Sequence, residues 1–256
     1  VKTNVAFDET GTITSDLTAE ISSKNELGDN YGMVAYGGAK YEWNEQADAL
    51  AKFAVGKNVE ELKNGAIDET GKAPEGSDLA STATIYLGGY VSAIEEAVNN
   101  ADYIGAQAGD QLKLASLSSI DSSQNASEEQ EGTAQLDCDV TALTQKDGVI
   151  TSCVIDSVQA KVNFDQTGTI STDLTAPVQT KNQLGENYGM VAWGGAIAEW
   201  NEQAASFADY VTGKTVDEVQ TIAVNEKTAP TEADLASSVT IAIGGFQELV
   251  AKAMQQ

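Results

Sequence analysis

The chain of 256 residues carries 39 acidic against 14 basic side chains, the basic ones all lysine, and it contains neither histidine nor arginine. Imidazole acid–base chemistry, histidine-based nucleophile triads and histidine metal ligation are thereby excluded, as is the bidentate guanidinium clamp on carboxylate or phosphate. A net charge of −25 opposes binding to nucleic acids and to anionic lipid headgroups, whereas 41% hydrophobic residues with only 3 prolines suit globular domains with proper cores.

In chain order, Gly11 marks a turn ahead of a short strand at Thr12-Ile13. Trp43, Ala47, Leu50 and Ala54 fall at helical spacing and Gly56 follows as a cap, which predicts a helix over 39–55. A second helix is expected over 59–63, with Glu60 and Glu61 at its positive end, and a third over 89–98. From residue 111 the period changes. The stretches 111–117, 134–143 and 149–164 alternate apolar with polar residues, as half-buried strands do. An exposed loop rich in Ser, Glu and Gln, 122–132, separates the first two, and Asp147-Gly148 is a hairpin turn signal between the last two. The opening pattern then restarts, with Gly168 ahead of a short strand at Thr169-Ile170 and helices over 196–212, 216–223 and 246–254. No apolar run approaches the roughly 18 residues of a membrane-spanning helix, and the first residues lack the features of a secretory leader.

The restart is an internal repeat. Residues Lys24 to Ala35, KNELGDNYGMVA, return as Lys181 to Ala192, KNQLGENYGMVA, at an offset of 157. The same offset pairs Phe7-Asp8 with Phe164-Asp165 and the run from Glu42 to Ala47 with that from Glu199 to Ala204. A one-residue deletion changes it to 156, pairing Asp78 to Ser81 with Asp234 to Ser237 and Gly88-Gly89 with Gly244-Gly245. These patterns predict an α+β protein of two tandem homologous modules, each an antiparallel sheet packed with about three helices. Module 1 spans 1–102 and module 2 spans 103–256; nothing equivalent to 101–160 precedes Val1, so the first module lacks its N-terminal strands. Trimming ahead of Val1, sharing of 101–160 by both copies, or strands from another subunit would each account for the difference.

Cys138 and Cys153 flank the hairpin turn. With a three-residue loop at 146–148, Cys138 lies opposite Asp156 and the two thiols point to opposite faces; a bulge would reverse that, so a disulfide and two small buried hydrophobes both stay open. The acidic clusters Asp8-Glu9, Glu95-Glu96 and Glu128-Glu129 with Glu131 lack the ligand spacing of a calcium loop and read as solvated charge. Tyr31, Met33, Tyr36, Trp43 and their copies Tyr188, Met190, Trp193, Trp200, with glycines interleaved, form either core anchors or a platform for a small flat aromatic ligand.

The segment Asp78-Leu-Ala-Ser-Thr-Ala-Thr84-Ile85, followed by Gly88-Gly89 and a helix, returns as Asp234-Leu-Ala-Ser-Ser-Val-Thr240-Ile241 before Gly244-Gly245. It resembles the C-terminal motif of the FMN-binding domain family, D-x-x-[S/T]-G-A-T ahead of a helix. The resemblance implies a related fold and, through phosphoester coupling of FMN to the last threonine by a flavin transferase, an extracytoplasmic electron carrier. It would assign Thr84 and Thr240 as acceptors, with Asp78, Asp234, Ser81 and Ser237 as the motif's other polar positions. Thr82 and Ser238 stand where the motif has glycine, and Val239 replaces its alanine in the second copy. The wider pattern is similar to tandem repeats in envelope lipoproteins of anaerobic Gram-positive bacteria, which implies export and anchoring through an N-terminal lipid outside residues 1–256.

The expected function is that of a non-enzymatic, extracellular or cell-surface repeat protein acting as a structural or ligand-binding module, with no catalytic residues, no metal and no cofactor. One alternative is an electron carrier with covalent FMN. The other is a polymerising surface protein that exchanges strands between subunits. Expected partners are further copies of itself and a small aromatic ligand, with no nucleic acid and no membrane insertion by this chain.

Overall fold

The computed structural model describes residues 3–255, and several of its helices start where side chains satisfy free backbone N–H groups. In the first repeat Ser23 and Glu26 form a capping box on α1 (Lys24–Leu27), Glu42 and Glu45 on α2 (Trp43–Ala54), and Asn58 and Glu61 on α3 (Val59–Ala66); α4 (Gly88–Asn99) follows. Three strands come next, β1 (Gln111–Ser119), β2 (Gly132–Lys146) and β3 (Val149–Phe164). The second repeat then carries α5 (Lys181–Leu184), α6 (Met190–Gly194), α7 (Trp200–Val211), α8 (Val216–Gln220), α9 (Ala233–Ala236) and α10 (Gly244–Gln255), of which α6 and α9 stand where the first repeat has turns.

Helices α2 and α7 start later than the spacing predicts, because Gly38 and Gly195 hold left-handed turns at φ 64° and 63° and the chain stays extended up to the capping glutamates Glu42 and Glu199. Helix α3 runs beyond the expected 59–63, and α8 stops short of Ala223. The short strands expected at Thr12-Ile13 and Thr169-Ile170 are single bridges, Phe7 with Ile13 and Phe164 with Ile170. Between each bridged pair an aspartate folds the chain on itself: Asp8 accepts from the Thr10 and Thr12 amides, and Asp165 from those of Thr167 and Thr169.

The described residues divide into two compact units, 22–103 and 3–21 with 104–255. Unit 22–103 contains no strand among its described residues, and its core gathers Leu50, Leu62, Leu79, Ala83, Leu87 and Val91 from α2, α3, α4 and the turn at 79–81. In the other unit the strands form an antiparallel sheet in the order β1-β2-β3. Its one face, with Leu143, Cys153 and Ile155, packs on Phe207 and Val211 of α7 and on Phe246, Leu249 and Val250 of α10. Each fully buried apolar side chain there contributes about 1.5–3 kcal/mol. The other face is apolar and exposed at Leu112, Leu114, Val140 and Val154.

Residues 3–21 belong to this second unit. The Phe7 ring stacks on Phe164 at 4.3 Å and 11°, and the loop ahead of β2 is sewn to the same segment, the Ala126 amide donating to the Gly11 carbonyl and the Ile13 amide to Asn125 Oδ1. That loop is therefore not wholly exposed as its composition suggests: Ser123 and Ala126 are buried, and a Cβ on Gly11 would meet the Ala126 side chain at 2.7 Å.

The β2–β3 turn has two residues, not three. Asp147 and Gly148 both take positive φ, 53° and 83°, the geometry of a type I′ hairpin, and Lys146 pairs with Val149. A register shift at Thr144/Gln145 then sets Cys138 opposite Val158 and Cys153 opposite Leu143. The thiols lie on opposite faces and both are free. Burial pushes the Cys153 thiol up to about 11, whereas Cys138 is only partly covered. We predict two titratable thiols in denaturant and, in the native state at pH 8, Cys138 reacting with a disulfide reagent about a hundredfold faster than Cys153. A shift in mobility on reduction would contradict the assignment.

Candidate functional site

The residues shared by the two repeats converge on one polar hub in each. Glu42 and Glu199 are buried at the starts of α2 and α7, and each carboxylate takes two consecutive amides. Glu199 accepts from Met190 N at 2.8 Å and Val191 N at 3.0 Å, and Glu42 from Met33 N and Val34 N, both at 2.9 Å. One turn on, Gln203 and Gln46 are completely buried. Gln203 Nε2 donates to the Ala198 carbonyl at 2.8 Å, and its Oε1 accepts from Thr240 N at 2.8 Å and Ile241 N at 3.2 Å. Gln46 makes the same bonds to Tyr41, Thr84 and Ile85. One helical turn thus anchors the Tyr-Gly-Met-Val segment and the Asp-Leu-Ala-Ser segment to each other.

A lysine covers the aromatic faces beside each hub. Lys181 Nζ lies 5.3 Å from the Tyr188 ring centroid and 4.8 Å from that of Trp200; Lys24 Nζ lies 5.0 and 4.9 Å from Tyr31 and Trp43. In the second repeat the sheet closes over this pair. Burial lowers the Lys181 ammonium, opposed by the Asp139, Asp137 and Asp156 carboxylates of β2 and β3, and burial raises Asp139 above the usual carboxylate range. The first repeat keeps the same residues but leaves them open, as a shallow cavity of about 480 Å³ lined by Lys24, Tyr31, Met33, Trp43, Ile85 and Tyr90.

The six polar positions of the FMN-like motif do not assemble into one site. Asp78 and Asp234 are exposed; Ser81 Oγ donates to the Asp78 carbonyl at 2.6 Å and Ser237 Oγ to that of Asp234 at 2.8 Å. Thr84 and Thr240 are exposed, and their hydroxyls reach 3.2 Å from the buried glutamine oxygens. Thr82 and Ser238, in place of the motif's glycine, do not take positive φ, so their side chains bring no backbone strain. The accessible threonine hydroxyls fit a phosphoester acceptor; the serines and aspartates are engaged in the turn that precedes them.

A second-repeat feature has no counterpart in the first. Tyr210 donates to Glu232 at 2.5 Å, a bond that pushes the phenol up to about 12 and holds Glu232 below its usual range. The homologous position to Tyr210 is Phe53.

Glu42, Gln46, Lys24 and their copies carry this architecture, and no chemistry in the sequence singles them out. The one available signal is their recurrence in register at the offset of 157. Among the described residues no group of three or more Cys, Asp or Glu side chains could hold a metal ion, and no helix is long and apolar enough to cross a membrane.

No family model matches the chain, and none of the curated proteins matches it. Among solved structures it is similar to a protein of Clostridium thermocellum determined in solution by NMR as a Northeast Structural Genomics Consortium target, at 23% identity over 57% of this chain and 90% of that one. The TM-score of that likeness is 0.28, too low to carry an argument about fold or function.

Proposed function

We propose that the chain is a non-enzymatic repeat protein of the bacterial cell surface or extracellular space, acting as a structural or binding module. The observation that supports this reading is the use made of the recurrent residues: Glu42, Gln46, Lys24 and their copies direct their polar groups to backbone amides, carbonyls and ring faces of the same repeat. Duplication with retention of such a hub preserves a scaffold.

The accessible hydroxyls of Thr84 and Thr240 favour one rival, an electron carrier with FMN esterified to these side chains. Intact mass and a visible spectrum on protein from its native host separate the two. The scaffold reading expects the unmodified polypeptide mass. A covalent FMN increment, lost in Thr240→Val and Thr84→Val, would replace it with the electron carrier.

A further inference from the structure

The open cavity of unit 22–103 has a covered counterpart, and the comparison says what fits it. Trp200 and Phe246 are 6% and 4% exposed, and Leu249 and Ala253 are fully buried, because β1–β3 lies over them. Their homologues face solvent: Tyr90 is 37% exposed, Ala93 and Ala97 are exposed, and Trp43 is only partly covered. The two surfaces share Lys, Tyr, Met, Trp and Ile at matching positions, differ at Phe246 and Leu249, where the first repeat has Tyr90 and Ala93, and differ in whether a sheet covers them.

We infer that the open face of α2, α4 and the Lys24–Met33 segment is the seat of a three-stranded antiparallel sheet of the β1–β3 kind, carried by a further repeat of this module. This rests on the scaffold reading above and names its partner. Three observations carry it. Residue identity comes first, because Lys24, Tyr31, Met33, Trp43 and Ile85 repeat the residues of the covered surface and only Tyr90 for Phe246 and Ala93 for Leu249 depart from it among the positions compared, so most of the complementarity of that interface is kept. Charge comes second: Lys181, perched over its two rings, lies in the field of the Asp137, Asp139 and Asp156 carboxylates of the sheet, and Lys24 sits in the same way over the matching rings with no such sheet above it. A sheet with aspartates at the positions of Asp137 and Asp139 would complete it.

Stoichiometry is the third. Among the described residues there are two helical seats and one sheet, and the helix-facing side of that sheet is taken by α7 and α10. A second copy of residues 3–255 brings the same ratio of seats to sheets, so exchange of this sheet between two such copies leaves as many seats empty as before. The occupant is therefore a sheet additional to the one in residues 104–164.

The test supplies that sheet. Val1 aligns with Val158 at the offset of 157, so a copy of residues 104–157 joined ahead of Val1 reconstitutes the first repeat in register. The full chain with this extension is compared with the full chain alone by hydrogen exchange and by quenching of Trp43 in a Trp193→Phe background. The expected result is about tenfold slower amide exchange in α4 and a several-fold drop in Trp43 quenching. Lys24→Glu in the extended chain should reverse much of the gain, and Asp139→Lys in the added copy should restore it; a misfolded extension cannot produce that rescue. Unchanged exchange in α4, or a gain insensitive to Lys24→Glu, would overturn the inference. So would association of the unextended chain that Tyr90→Glu abolishes, which assigns the face to a second copy, or saturable binding of free FMN lost in Trp43→Ala, which assigns it to a small ligand. A covalent FMN on the native protein would defeat the scaffold reading while leaving the protection by the added sheet in place, so the two failures are distinguishable.

Discussion

Replacing Gln203 by leucine is expected to lower the unfolding free energy by about 3 kcal/mol, far more than its neutral, uncharged chemistry suggests. The side chain is fully buried and serves three backbone groups, the amides of Thr240 and Ile241 and the carbonyl of Ala198. Leucine fills similar volume but removes the partner of all three partly buried groups, and each such loss costs about 1–3 kcal/mol where the group is shielded from water. Glu199→Gln should also cost about 2 kcal/mol although it is isosteric, because one of its two oxygens becomes an NH₂ facing the amide of Met190 or Val191. Gln46→Leu should behave alike in the first repeat, where the geometry is the same. Urea unfolding monitored by circular dichroism measures all three. A loss below about 1 kcal/mol for both glutamine variants would mean that the hub is incidental to stability.

Phe164→Ala is expected to cost about 3–5 kcal/mol and to release residues 3–21. Phe164 is 1% exposed at the end of β3, bridges to Ile170 and stacks on the Phe7 ring. Removing it opens a cavity and deletes the aromatic contact that ties 3–21 to the sheet. Phe7 is partly exposed, so Phe7→Ala should cost less, and a double-mutant cycle should show about 1 kcal/mol of coupling between the rings. Limited proteolysis gives the structural readout: cleavage within 3–21 should appear in Phe164→Ala before the rest of the unit is cut. A segment that stays protected in the variant would show that the Ala126 and Asn125 bonds hold it without the stack.

Local and periodic features were legible in the residues alone. Alternation placed all three strands, since a sheet with one face on α7 and α10 needs apolar side chains at every second position. The spacing of Trp43, Ala47, Leu50 and Ala54 marked α2 and, through the repeat, α7, but it did not show that each helix starts only at a capping glutamate, Glu42 or Glu199. The repeat showed which helices and turns recur in register, and composition excluded histidine and arginine chemistry outright.

Contacts between distant residues were settled by the tertiary structure. Gln46 and Thr84 meet across 38 positions, and only the packed chain brings a buried oxygen to that amide. The hairpin register depended on two positive-φ residues and a compensating bulge, neither of which alternation can report, and together they decided which face each cysteine occupies. An internal repeat and the α+β class could be read from the residues alone, because propensity and period act within a few residues. Where residues 3–21 dock, and which aromatic cluster is covered, were decided by the tertiary structure, because the Phe7–Phe164 stack and the closure of a sheet over Trp200 are long-range burial events.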